Sequence, residues 1–219
     1  MSTVVTHPAD VARRMERIYR PQRLIYDATR RYYLIGRDRL LAGIEAAPGE
    51  SVLEVGCGTG RNLVHLARLY PQAQLIGVEP SPAMLQTAAR ALQRHQVDAT
   101  LLQGTAETLS ASALGRPGGL DHVVFSYVLS MVDEPAAAVD RALALLRPGG
   151  MLHIVDFGDL AGLPPSAAAL LRTWLRWFEV NPRPDAGRRL AALTAAGTGT
   201  LGRQRLGRGY AELLRFRLA

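Results

Sequence analysis

The stretch 52–62, Val-Leu-Glu-Val-Gly-Cys-Gly-Thr-Gly-Arg-Asn, constrains this chain more than any other feature. A short apolar run reads as a buried strand. The glycines that follow at alternate positions, Gly56, Gly58 and Gly60, make a turn where backbone approaches a ligand closely at the start of a helix. The pattern G-x-G-x-G departs from the dinucleotide fingerprint G-x-G-x-x-G in its third interval, so by itself the turn reads equally as a tight connection. Glu54 is harder to explain structurally, because a carboxylate in an apolar strand needs a buried or ligand-facing hydrogen-bond partner.

From residue 51 onward, short β-branched or apolar runs alternate with longer helical patterns, the order of a parallel sheet with helices on both faces. Strands are predicted at 51–55, 74–79, 99–103, 121–127 and 151–156. Helices are predicted at 62–70, ended by Pro71, at 82–95, with proline in the first turn, and at 134–146, stopped by Arg147-Pro148-Gly149-Gly150. Residues 163–180, with Trp174, Trp177 and Phe178, read as a further amphipathic helix, 185–195 as a shorter one and 209–217 as a final strand. A chain of 219 residues, 48% apolar and 21% charged, has ordinary globular composition and suits one structural unit. Within it we separate a helical cap over 1–46 from an α/β domain over 47–219.

All 26 basic residues are arginine, and the formal net charge is +7. Residues 11–40 hold nine arginines against Glu16, Asp27 and Asp38, and residues 203–217 hold five against Glu212. Such patches face nucleic acid, an anionic membrane surface or an acidic substrate, and charge alone leaves the three open. Val11, Met15, Ile18, Tyr19 and Gln22 fall on one side of a predicted helix and Arg13, Arg14, Arg17 and Arg20 on the other, with Pro21 as its break. A second helix is predicted from Gln22 towards Ala46. No apolar run reaches the roughly 18 residues of a membrane span, and the first residues lack the basic-then-apolar order of a signal peptide, so a cytosolic protein is expected. Cys57 is the single cysteine and the five histidines are scattered, so neither an internal disulfide nor a bound metal is expected.

With Glu54 and the glycine turn in place, the chain over about residues 50–160 resembles the class I S-adenosylmethionine-dependent methyltransferases, whose first motif is E/D-x-G-x-G-x-G. Leu75-Ile76-Gly77-Val78-Glu79 ends in the acid that in this family grips the ribose hydroxyls, about 20 residues beyond the turn. Gln103-Gly104-Thr105-Ala106-Glu107 falls where the family contacts adenine, with Thr105 at a position often held by Asp. Residues 121–127 match the strand that faces the methyl group, and Leu146-Arg147-Pro148-Gly149-Gly150 the turn before the fifth strand. The resemblance implies a doubly wound, Rossmann-like, mostly parallel seven-stranded sheet with an antiparallel final strand. It also implies S-adenosylmethionine as cofactor and S-adenosylhomocysteine as product, held by Tyr26, Glu54, Gly56, Cys57, Gly58, Gly60, Asn62, Glu79, Pro80, Ser81, Met84, Thr105, Ala106, Glu107 and Ser126.

A narrower resemblance is carried by residues 18–39, by Phe125-Ser126-Tyr127-Val128-Leu129-Ser130-Met131-Val132-Asp133 and by Val155-Asp156-Phe157-Gly158-Asp159. These look like the bacterial N-methyltransferases that make the betaine lipid diacylglyceryl-trimethylhomoserine. The implied acceptor is a lipid headgroup amine, lifted from an anionic membrane by the basic segment, which places the protein at the inner face of that membrane. Tyr19, Tyr26, Tyr32 and Tyr127 are the implied catalytic set, orienting the amine and relaying its proton, and Arg31, Tyr33, Asp156 and Asp159 the implied substrate contacts. Open beside this stand a phosphatidylethanolamine methyltransferase, a small-molecule or quinone methyltransferase, an aminocarboxypropyl transferase and a non-catalytic cofactor-binding membrane adaptor. Nucleic acid is disfavoured as partner, because the NPPY-like signature is absent and aromatic residues are not interleaved with the basic patches.

Overall fold

A strand buried along its whole length has to be covered on both faces, and β1 (Ser51–Val55) is such a strand. The computed structural model describes residues 34–105, 109–111, 114–176, 180, 182 and 184–219. β2 (Gln74–Glu79) and β4 (Leu120–Ser126) flank β1, with β3 (Ala99–Gln103) outside β2 and β5 (Leu146–Phe157) outside β4, all parallel. β7 (Ala211–Leu218) pairs antiparallel with β5, and β6 (Gly199–Leu206) antiparallel with β7. The resulting order, β3-β2-β1-β4-β5-β7-β6, is the doubly wound, mostly parallel seven-stranded sheet that the sequence implies.

Side-chain alternation splits the core into two layers. On one face α4 (Pro135–Leu145) and α6 (Asp185–Ala195) cover Leu53, Val123, Phe125, Ile154 and Phe216. On the other, α1 (Arg37–Ala42), α2 (Arg61–Leu69), α3 (Pro82–His95) and α5 (Pro165–Arg176) contribute Leu40, Leu63, Leu92 and Leu175 against Val52, Val124, Val155 and Leu213.

Three expectations change. The helix predicted across 22–46 does not run unbroken: Gly36 has φ 85°, and α1 begins only after it. A Cβ on Gly36 would lie 2.3 Å from Leu206 Cδ1, so the chain is pressed against β6 at the point where the helix would have passed. The expected breaker at 147–150 is instead part of β5, which starts directly after α4 and carries a register shift against β4 between Leu120 and His122. β6 has no counterpart in the sequence reading because Gly199, Gly202 and two arginines blur its alternation, and it is held as an edge strand by β7.

The N-terminal rim of the sheet is a closed polar network. Asp121 Oδ2 accepts from Ser51 N and Ser51 Oγ, both at 2.8 Å, and Arg147 donates to both Asp121 and Glu50. His122 Nε2 lies 3.0 Å from Glu50 Oε2, and its Nδ1 lies 3.1 Å from His153 Nε2. Burial, with His122 and nearby arginines, pushes His153 down to about 3, so it is a neutral core imidazole. This pair escapes a search at helical spacing because it is the parallel register of β4 and β5 that brings the two rings together.

Candidate functional site

β1 runs straight into the glycine turn, where Gly56, Gly58 and Gly60 have φ of 73°, 54° and 77°. Gly56 N and Cys57 N both donate to Val78 O, at 2.7 and 3.0 Å, which ties the turn to the end of β2. The three glycines do different jobs. A Cβ on Gly60 would come 3.1 Å from Ala88 Cα, and one on Gly56 would come 2.6 Å from Val128 Cγ2. At Gly58 nothing among the described residues lies within 4 Å. Gly56 and Gly60 therefore allow close packing, whereas Gly58 leaves open the space beside the start of α2.

Glu54 sits under this turn and is 1% exposed. Its Oε1 accepts from Asn62 Nδ2 at 2.6 Å, and its Oε2 is covered with no hydrogen-bond partner among the described residues. Burial raises the carboxyl to about 7, against the Asn62 hydrogen bond and the charge of Arg37, which lower it. Glu79, the last residue of β2, accepts from Gly58 N at 3.1 Å and from Ser81 N at 3.0 Å. Ser81 Oγ in turn caps α3 by accepting from Met84 N at 3.4 Å. Ser126 ends β4 on the same face as Glu54, since Glu54 pairs with Val124, and its covered Oγ also has no partner among the described residues. Two covered oxygens on adjacent strand ends thus have no partner among the described residues. Burial pushes the Cys57 thiol upwards, which keeps it protonated and inert.

Around these ends of β1, β2 and β4 lie Asn62, Pro80, Ser81 and Met84, with Pro80 O accepting from Gln103 Nε2 at 3.2 Å and Thr105 just beyond β3. Tyr19, Tyr26, Arg31, Tyr32, Tyr33, Ala106 and Glu107 lie outside the described residues. Tyr127 is 1% exposed with φ 58°, a backbone state uncommon for a bulky side chain. Its hydroxyl donates to Ile35 O at 2.6 Å, and its ring meets Phe157 edge-on with centroids 4.8 Å apart. In this position Tyr127 fastens the segment before α1 to the end of β4. Asp156 accepts from Ser130 N at 3.0 Å and Phe157 N at 2.7 Å. Asp159 pairs with Arg205 Nη2 at 2.7 Å and accepts from Ala161 N at 3.1 Å. Arg37, buried at the start of α1 and close enough to bias Glu54, was not singled out from sequence, where it is one arginine in a run of nine.

Residues 53–152 match the family model of a methyltransferase domain. A trans-aconitate 2-methyltransferase of Deinococcus radiodurans is 36% identical over 78 residues, covering 34% of this chain and 30% of that protein. The chain spans between about a fifth and a third of the length of such curated relatives. Among solved structures, the S-adenosylmethionine-dependent methyltransferase SibL in its apo form superposes with a TM-score of 0.68 at 21% identity, over 90% of this chain and 58% of that one. The plantazolicin methyltransferase BpumL in complex with SAH gives a TM-score of 0.67 at 13% identity, over 91% of each chain. These two likenesses establish the fold.

Proposed function

We propose that this chain, which carries a methyltransferase domain with the fold of the S-adenosylmethionine-dependent class, N-methylates a lipid headgroup amine, with diacylglycerylhomoserine as acceptor and its trimethyl betaine as end product. The observation that carries this reading is the sign of the charge at the open rim. In a chain of net charge +7, Glu54 and Glu79 stand at the C-terminal ends of β1 and β2, and Asp159 lies two residues beyond the end of β5. An acidic mouth on a basic molecule suits a cationic acceptor embedded in an anionic surface.

S-adenosylmethionine supplies a methyl group on a sulfonium centre. The residues fit such a ligand: the open oxygen of Glu54 takes an ammonium group, Gly58 leaves the space for the amino-acid portion, and Glu79, fixed by two backbone N–H groups, faces the ribose hydroxyls. Pro80, Ser81, Met84 and Ser126, with Thr105, Ala106 and Glu107, complete that contact set. Tyr19, Tyr26 and Tyr32 orient the acceptor amine and pass its proton to water, Arg31 and Tyr33 hold the headgroup, and Tyr127 acts by holding Ile35. Asp159 meets the headgroup cation while Asp156 fixes the loop below it. No helix of the described residues is long and apolar enough to cross a membrane. Docking at the inner membrane face is assigned to Arg13, Arg14, Arg17 and Arg20, at about 1 kcal/mol for each arginine near anionic lipid.

A second reading, O-methylation of a small organic acid, is favoured by the relatives named trans-aconitate 2-methyltransferase and by Arg37, a buried cation beside the cleft. One assay separates them. The chain is incubated with S-adenosylmethionine and either vesicles containing diacylglycerylhomoserine or soluble tricarboxylic acids, and products are weighed by mass spectrometry. Successive methyl gains on the lipid support the proposal, a methyl ester on the acid supports the second reading, and S-adenosylhomocysteine release with neither excludes both acceptors.

A further inference from the structure

Arg37 is 7% exposed, and several contacts fix the backbone that carries it. The Tyr127 hydroxyl holds Ile35 O, Leu40 N donates to Gly36 O at 2.8 Å as α1 opens, and Leu40 and Leu41 are fully buried. Gly36 itself lies over the end of β5, where a Cβ would stand 3.5 Å from Val155 Cγ2. Val155 pairs with Ser126 of β4, and Glu54 of β1 pairs with Val124 of β4, so all four share one face of the sheet. Only β4 therefore separates the strand beneath Arg37 from the strand that carries Glu54, two strand spacings of roughly 10 Å in all. Burial dominates the acidity of both the Glu54 carboxyl and the Tyr127 hydroxyl, and the charge of Arg37 pulls each of them back, as a cation lying over the end of β4 does.

This placement sets Arg37 apart from the residues assigned to the cofactor. Glu54, Gly58, Glu79, Ser81 and Thr105 follow the ends of β1, β2 and β3, whereas Arg37 reaches in from β5, the strand that leads to Asp159. Ser126, whose covered Oγ has no partner among the described residues, ends β4 between the two sides. A guanidinium presents several N–H donors in a planar fork that matches a carboxylate, so a bond to one neighbour leaves donors for a ligand. We propose that Arg37 determines acceptor specificity by binding a carboxylate on the acceptor, so that the chain methylates molecules bearing one and discriminates against amines that lack it. Both acceptors considered above fit. The homoserine headgroup carries its carboxylate on the carbon that bears the amine, and a tricarboxylic acid carries further carboxylates beside the one to be methylated. Phosphatidylethanolamine, whose amine has no carboxylate near it, does not fit. The inference rests on the methyltransferase reading and not on the choice between its two acceptors.

The test is calorimetry on the full chain saturated with S-adenosylhomocysteine. Three soluble probes are used: O-methylhomoserine, methoxypropylamine, which is the same amine without its carboxylate, and tricarballylate. The parent should bind a carboxylated probe, and bind methoxypropylamine at least about tenfold more weakly. Arg37→Gln should weaken the carboxylated probe by about 10- to 100-fold, the size of a lost charge-assisted pair, and leave methoxypropylamine unchanged. Arg37→Lys keeps the charge without the fork and should recover part of the loss, which gives a second variant should the first not fold. S-adenosylhomocysteine should bind Arg37→Gln within about twofold of the parent. A parent that binds no carboxylated probe overturns the assignment, as does a carboxylated probe bound equally by parent and Arg37→Gln. So does a fall in S-adenosylhomocysteine affinity beyond about tenfold with methylthioadenosine, which has no amino-acid portion, bound as before, because Arg37 would then serve the cofactor's own carboxylate. A parent that fails to bind S-adenosylhomocysteine would instead overturn the methyltransferase reading, and this inference with it.

Discussion

At the N-terminal rim of the sheet Asp121 is bonded to Ser51 and ion-paired with Arg147, whereas at the C-terminal rim Glu54 has Asn62 on one oxygen and, among the described residues, nothing on the other. Their acidities part accordingly. Burial would raise Asp121, but hydrogen bonds from the Ser51 backbone, Arg147 and the Ser51 hydroxyl outweigh it and hold the carboxyl at about 2. Burial dominates at Glu54 and lifts it to about 7. Both residues belong to neighbouring strands of one sheet, so the difference lies in what each strand end is given to pair with. The lower rim is satisfied by the chain itself and stabilises the fold. The upper rim is left incomplete among the described residues, which is why the proposal above places a cationic ligand there.

The largest effect should come from the glycines of the upper rim. Gly60→Ala forces a methyl against the Ala88 backbone at a left-handed φ and should cost about 2–4 kcal/mol of stability by chemical denaturation. Gly58→Ala meets open space, so only the left-handed φ opposes it, at about 1–2 kcal/mol, while its methyl stands where the ligand would lie and S-adenosylhomocysteine binding should be lost in calorimetry. Equal damage to folding by both variants would erase the distinction between packed and open glycines.

Asp121→Asn probes the lower rim. The folded value of about 2 lies below the ordinary aspartate value of 3.8, so ionised Asp121 favours the fold above pH 3.8, and that contribution disappears as pH falls through 2. The variant should lose on the order of 1–2 kcal/mol at pH 7 and show a flatter acid-unfolding curve below pH 4. A melting temperature at pH 7 equal to the parent's would mean that the rim network is ornamental.

How far these contrasts could be read beforehand depended on how local their causes are. The parallel strands, their helices and the glycine turn are visible because period, capping and turn chemistry act over a few residues. Glu54 was conspicuous for the same reason, as an acid in an apolar strand. The break at Gly36 was missed because it is imposed by Leu206, which is distant in sequence. The pairing of His122 with His153, the burial of Arg37 and the placement of Glu212 opposite Asp156 all arise from strand register and helix docking, which no short window contains. The five C-terminal arginines read as a basic patch open to nucleic acid, a membrane or an acidic substrate, yet Arg203 and Arg205 are paired with Glu212 and Asp159, and Arg217 donates to Gly149 O.

Smaller effects refine the picture. Tyr127→Phe removes the bond to Ile35 O and should cost about 0.5–1.5 kcal/mol of stability. A turnover defect beyond that loss would mark the link between β4 and the segment before α1 as a positioning device, and a defect in S-adenosylhomocysteine affinity instead would place Tyr127 in the ligand site. Arg205→Gln breaks an ion pair whose side chains are 56% and 39% exposed, and should shift stability by less than about 1 kcal/mol. A larger loss in denaturant titration would show that the hairpin depends on that pair.

The most direct measurement is Glu54→Gln followed in two ways at pH 8. The folded value of about 7 lies above the ordinary glutamate value of 4.5, so Glu54 favours the fold fully only below 4.5, and that contribution is lost as pH rises through 7. Removing the buried charge should therefore stabilise the ligand-free chain by on the order of 2–3 kcal/mol in denaturant titration at pH 8. The same change takes away the anionic partner proposed above for the ligand's ammonium group, and calorimetry should find S-adenosylhomocysteine bound about 10- to 100-fold more weakly. A more stable chain with weaker binding is the predicted pair, and unchanged affinity, or a chain made less stable, would contradict it.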